Sequence, residues 1–251
     1  MDRFSVIGIL LGIGALLGTQ FIEGGQPASL LQGPAAIVVF VGTLGATLLS
    51  SSARDLRVAL RELRLVFRPM RQRNSKLTEL YRDLAFMARK DGLIALDKLQ
   101  PSFPTPFMKR AMRHVIDGCD ERQLEEILES DIRARSNESM AAAEVFETAG
   151  GYAPTMGILG AVLGLIRAME SLAEPDALGA GIAVAFIATI YGVGIANLLL
   201  LPVAAKIRQR TRQQEEEDAI VATGAIGLQT GIAPRTLEQL LAARLVCDEY
   251  P

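Results

Sequence analysis

The sequence predicts an all-α membrane protein with four transmembrane helices. A large helical cytoplasmic segment separates helices 2 and 3, and a cytoplasmic C-terminal tail follows helix 4. Three observations predict this. Four uncharged apolar runs each approach or exceed the roughly 20 residues that a helix needs to cross a hydrocarbon core. Charge is segregated: 22% of the 251 residues are charged, yet those runs hold no Asp, Glu, His, Lys or Arg. The polar segments show apolar residues at helical spacing, and no run alternates as a strand does.

The first run, 4–22 (FSVIGILLGIGALLGTQFI), has one basic residue before it, Arg3, and no small-residue cleavage site after it. It reads as a retained helix rather than a cleaved signal peptide. Gly8/Gly12 and Gly14/Gly18 are four apart. That spacing either lets another helix come close or reflects ordinary glycine tolerance in a membrane helix. The second run, 33–50, opens with Pro34 at a first-turn position.

The composition then switches. Arg54, Arg57, Arg61, Arg64, Arg68, Arg71, Arg73, Lys76, Arg82, Arg89 and Lys90 crowd the next stretch, which the positive-inside rule places in the cytoplasm. Leu56, Leu60, Leu63 and Val66/Phe67 stripe one helix, which lies either on anionic headgroups or beside a span as a solvated face. Leu77, Leu80, Tyr81, Leu84 and Met87/Ala88 form a second stripe. Thr105 and Pro106 read as cap and first turn of a third, on Phe107, Ala111, Met112 and Val115. Asp120 with Gln123 resembles a capping box. It starts a fourth stripe, Leu124, Ile127, Leu128 and Ile132, which runs on into the third span.

The third span, 149–170, is uncharged through Ile166. Arg167 and Glu170, near its outer end, either snorkel or pair across one turn. The link at Glu174, Pro175 and Asp176 leads to the fourth span, 178–205. Lys206, Arg208, Arg210 and Arg212 then mark a return to the cytoplasm. The links 23–32 and 171–177 carry no Lys or Arg and belong outside, so both termini are cytoplasmic. The tail continues as a charged helix whose Glu215–Asp218 run reads as a solvated face. Gly231 and Pro234 mark a turn before a last helix at 236–245. The organisation is a first hairpin (1–53), a cytoplasmic segment (54–148), a second hairpin (149–205) and a tail (206–251).

Several functions are excluded. A net charge of −2 argues against phosphate-driven nucleic-acid binding. Cys119 and Cys247 lack CxxC or metal spacing and read as packing thiols. There is no GxxxxGK(S/T), HExxH or GxSxG, and the single histidine, His114, reads as a surface or packing residue. No enzyme, cofactor or metal is expected, and paired repeats with polar midplane residues, as in a solute transporter, are missing.

An ion path through the membrane is still compatible with the sequence, but its titrating group is not here. Proton relays use an intramembrane carboxylate or imidazole. The last two spans offer only Thr155, Thr189, Tyr191 and Asn197. A partner chain must therefore supply the acid. Pro154, at the cytoplasmic start of the third span, and Pro202, at the cytoplasmic end of the fourth, each remove a backbone hydrogen bond and permit a bend at one membrane face.

The stretches A-P-T-M-G-I-L-G-A-V-L-G-L-I and A-V-A-F-I-A-T-I-Y-G-V-G-I-A-N-L-L-L-L-P-V-A-A-K, with A-R-K-D-G-L-I-A-L-D-K-L at Ala88–Leu99, resemble the flagellar motor stator A-subunits (MotA, PomA and MotC) over nearly the whole chain. The resemblance implies an inner-membrane homopentamer around two copies of a MotB-like B-subunit, each bringing a membrane Asp. Ion flow at that Asp would turn the A-ring against the rotor protein FliG. It further implies that Pro154 and Pro202 couple ion flow to shape, and that Thr189 lies on the ion path. Arg89 and Asp97, with Lys90 as a lesser candidate, would meet the rotor, Asp97 standing where the family carries Glu. Ala161 occupies a position where sodium-driven members carry Thr. A methyl group cannot replace the water of Na⁺, so H⁺ rather than Na⁺ is expected, unless Tyr191 or backbone carbonyls supply the oxygens. The rival is a TolQ/ExbB-type energiser of outer-membrane processes, a family usually of three spans without the extra hairpin.

Overall fold

The computed structural model describes residues 3–22, 24, 27–66, 74–172 and 175–247. Phe67, Arg68, Arg71, Arg73 and Glu174 lie outside them, as do the side chains of Lys76, Pro175, Asp176 and Cys247. All regular structure among the described residues is helical. It comprises α1 (Arg3–Ile22), α2 (Gly33–Ser50), α3 (Ala53–Val66), α4 (Asn74–Asp91), α5 (Pro106–Ile116), α6 (Glu121–Glu170), α7 (175–229) and α8 (Pro234–Cys247). π-helical turns interrupt α2 at Ile37–Val41 and α7 at Ala196–Leu200, and a 3₁₀ stretch, Leu93–Ser102, follows α4.

Gly33–Ser50, Glu121–Glu170 and Leu178–Gln229 are long and apolar enough to cross a membrane, while Ile7–Ile22 is a shorter apolar helix. The helix ends follow local chemistry. The Ser52 hydroxyl accepts from the Asp55 amide (3.1 Å) and donates to its carboxylate (2.6 Å), capping α3. Thr105 Oγ1 accepts from the Met108 amide at 3.1 Å, and Asp120 Oδ1 from the Gln123 amide at 3.0 Å, so both expected caps form. Gly92 ends α4 at φ +82°, and Gly231 makes the turn before α8 at φ +68°.

The chain folds as two compact units, each discontinuous in sequence: Met1–Pro69 with Glu138–Arg210, and Met70–Asn137 with Thr211–Pro251. In the first, α3 lays Val58 and Ala59 on Ala142 and Val145 of α6, while Val66 packs with Ala143, Val203 and Ile207. Leu60, expected on that stripe, is instead 63% exposed. Leu56, Leu63 and Val66 of the expected stripe do pack inward, and the small Val58 and Ala59 take the inner face beside Leu60. α2 packs Ala35 and Val39 on Ile187 and Ala188 of α7.

The second unit has a core of large side chains. Tyr81 and Leu84 of α4, Phe107, Met108 and Met112 of α5, and Leu124 and Leu128 of α6 are fully buried with Leu237 and Leu241 of α8. Burying each such side chain contributes about 1.5–3 kcal/mol. Cys119 packs partly buried against this core, and His114 is half-buried on α5. Ile127 and Leu240 are exposed on the outer edges of their stripes.

Candidate functional site

The membrane site is built where α6 and α7 touch backbone to backbone. A Cβ added to Gly192 would sit 2.5 Å from the Ala153 carbonyl oxygen, and one on Gly157 2.9 Å from that of Ala188. On Gly164 it would meet the Ala185 nitrogen at 2.7 Å, and on Gly181 the Ala168 nitrogen at 2.8 Å. Only hydrogen fits at these four positions. Small residues allow such contact in lipid, where apolar burial does not drive helices together.

The prolines act on this contact from one level. Pro154 lies inside α6 and cannot donate to the Gly150 carbonyl. Gly150 faces Leu201, whose Cδ2 is 2.7 Å from where its Cβ would be, so the weakened turn lies against the residue next to Pro202. Pro202 in turn removes the bond to the Leu198 carbonyl. Immediately before it, the Leu201 amide bonds Ala196 in the wide π turn. Two loosened turns, one on each helix, therefore lie side by side.

Above them, Gly160 meets Ala188, its Cβ position lying 2.7 Å from the alanine methyl. Ala161 and Thr189 are the next residue on each helix. Ala161 is half-buried and Thr189 exposed. Thr189 Oγ1 donates back to the Ala185 carbonyl at 3.4 Å, Thr155 to Tyr152 at 2.7 Å, and Asn197 Nδ2 to Val193 at 2.9 Å. Each leaves acceptor capacity open on an exposed face.

Tyr191 is different. Its hydroxyl donates to the Leu30 carbonyl and accepts from the Gln32 amide at 3.2 Å, and its ring stacks on Phe40 at 5.7 Å. Two residues from Thr189, it lies about 200° round the helix. It fastens α2 to α7, and its oxygen is already engaged by backbone.

The expected rotor-facing residues gather in the second unit. Arg89 and Lys90 end α4 and are exposed, and Arg89 Nη2 donates to the Gly231 carbonyl at 3.1 Å. Asp97 is exposed on the 3₁₀ stretch that Gly92 turns away from α4. The structure thus brings Arg89 and Lys90 together, with Asp97 on the next element.

The chain is 31% identical to motility protein A of Helicobacter pylori (strain 26695) over 242 residues, covering 96% of this chain and 94% of that one. The profile of the MotA/TolQ/ExbB proton channel family matches residues 100–219. This chain belongs to the MotA/TolQ/ExbB proton channel family. Among solved structures, C. jejuni MotAB superposes with a TM-score of 0.91 at 28% identity, covering 97% of this chain and 96% of that one. The flagellar MotAB stator complex from Bacillus subtilis gives 0.88 at 29%, covering 96% and 94%.

This MotA-family chain also carries functional and structural groups that the sequence pattern did not single out. The α6–α7 glycines are one set. Their signal was present, since Gly157, Gly160 and Gly164 recur at helical spacing, but the first span showed a similar pattern and there only Gly12 is crowded, by Leu198. Asp218 is the other. The Glu215–Asp218 run was expected to be solvated, yet the Asp218 side chain is only 4% exposed. It accepts from Arg135 at 2.6 Å and from Gln214 at 3.0 Å. Burial holds its carboxyl above the usual range in spite of Arg135. The residue is the last of four acids, and the helix turns it inward where Glu216 faces out and Glu215 and Glu217 are half-buried.

Proposed function

We propose that this stator subunit forms the wall of a proton path whose acid is lent by a MotB-like partner. Its own apolar runs hold no Asp, Glu, His, Lys or Arg, and that observation carries the reading. Four spans with both termini in the cytoplasm satisfy every basic segment. Five copies would surround two partner spans in the bacterial inner membrane. Each partner Asp would pass the face bearing Ala161 and Thr189. Tyr191, engaged with Leu30 and Gln32, positions α2 rather than serving the ion.

Proton transfer to that Asp would remove a charge beside the α6–α7 contact, and the loosened turns at Pro154 and Pro202 would take up the change. A proton falling through ~150 mV yields roughly 3.5 kcal/mol, enough to shift a two-state helix arrangement appreciably. Arg89, Lys90 and Asp97 would carry the motion to FliG. The profile match begins at residue 100 and is shared with TolQ/ExbB proteins, whereas the Helicobacter pylori relative matches nearly the full chain, first hairpin included. That favours a flagellar stator over an outer-membrane energiser.

The test is co-expression with a MotB-like subunit and a swimming assay. Pro154→Ala is expected to abolish motility with membrane assembly intact, and normal swimming in that variant would remove the coupling role. Motility is expected to persist without sodium; paralysis in sodium-free medium rejects the proton assignment.

A further inference from the structure

α1 and α7 are close at one point and open one turn away. At Gly12 an added Cβ would lie 2.7 Å from Leu198 Cδ2, whereas at Gly8 it would meet nothing within 4 Å. The gap is a groove of about 270 Å³, walled by Gly8 and Ile9 on one side and by Asn197, Leu198 and Pro202 on the other. Lys206 closes one end. The rest of the lining is almost entirely apolar, so the groove is a greasy slot with one cation at its mouth.

We propose that this groove holds an anionic phospholipid, its phosphate on Lys206 and part of an acyl chain against Pro202. Three features select this occupant. The walls are faces of two apolar helices, which the bilayer bathes. The one charged lining residue is basic and follows the apolar run, where inner-leaflet headgroups lie. Arg210, one turn further along α7, repels Lys206 and, after burial itself, lowers the Lys206 pKa. A phosphate at this end of the groove would relieve that repulsion. An ammonium has three donors, so Lys206 can keep its protein partner and still bind a phosphate oxygen. Because the acyl chain would lie against Pro202, an anionic lipid would change the stiffness of the bend there.

The inference rests on the reading above only in taking α1 and α7 as spans. The test is native mass spectrometry of the full chain with its partner, titrated with phosphatidylglycerol or phosphatidylcholine. Phosphatidylglycerol adducts should outlast phosphatidylcholine adducts, and Lys206→Gln should cut their retention about fivefold. Gly8→Leu should displace both lipids, Arg64→Gln should change nothing, and inorganic phosphate should not compete. Equal retention of the two lipids, or undiminished phosphatidylglycerol on Lys206→Gln, overturns the proposal. So does a Gly8→Cys disulfide between two copies, which would mean that a second chain covers the groove. Lipid retention is read without motility, so failure here leaves the stator reading untouched, and immotile cells leave the lipid site untouched.

Discussion

The two units are held together by opposite means. Where α6 meets α7 in the first, the contact is backbone on backbone through Gly157, Gly164, Gly181 and Gly192. In the second, large side chains such as Tyr81, Phe107 and Met112 fill the centre, and the partly exposed Arg135 pairs with the buried Asp218. The difference follows from the solvent. In water, apolar area drives packing, and bulk is an advantage. In lipid it does not, so close approach of small residues has to serve. A seam of glycines presents few side-chain knobs, so the two helices are not interlocked along it. An interdigitated core resists shifts.

This contrast can be broken most severely at Gly192. Gly192→Leu puts a side chain where the Ala153 carbonyl stands. It is expected to part the helices and abolish both partner co-purification and swimming; a motile, assembled variant would sink the seam.

Arg135→Leu comes next, because it takes the cationic partner from a buried carboxylate that still accepts from Gln214, at about 1.5–3 kcal/mol. Thermal unfolding of the complex should show the loss, and adding Asp218→Leu should recover most of it. The same carboxyl gives a pH signature. Its folded pKa is raised by burial, so the folded state binds the proton more tightly than the unfolded one. Its contribution is therefore greatest below the ordinary Asp range and is lost as pH rises through the raised folded value. Asp218→Asn should flatten that part of the stability profile. Smallest is Arg122→Ala. Its partner Glu126 is exposed, at i,i+4 on a helix face, and the change should shift stability by no more than about 0.5 kcal/mol.

Much of this was legible in the chain. Charge segregation marks the apolar helices, and the caps at Thr105 and Asp120 and the turn at Gly231 fall where their side chains or lack of one require. Pro154 and Pro202 can be placed at one level because two antiparallel helices put one near its start and the other near its end. What the pattern could not give was partnership across long sequence distances. Asp218 looks solvated until Arg135, from a helix far earlier in the chain, stands over it. Tyr191 looks like a spare oxygen donor until Leu30 and Gln32 occupy it. Leu60 obeys the helical period, yet smaller neighbours take the inner face. Periodicity reports which side of a helix is greasy; it does not report which neighbour arrives there.

The clasp at Tyr191 has a mechanical corollary. Its hydroxyl pins the link between α1 and α2 to one place on α7, and near the other end of α1 the glycine gap stands open. The α1–α2 link is thus hydrogen-bonded to α7, whereas at Gly12 the meeting of α1 with α7 is an apolar contact with Leu198. A displacement of α7 beside Gly12 would therefore slide an apolar contact rather than break a hydrogen bond.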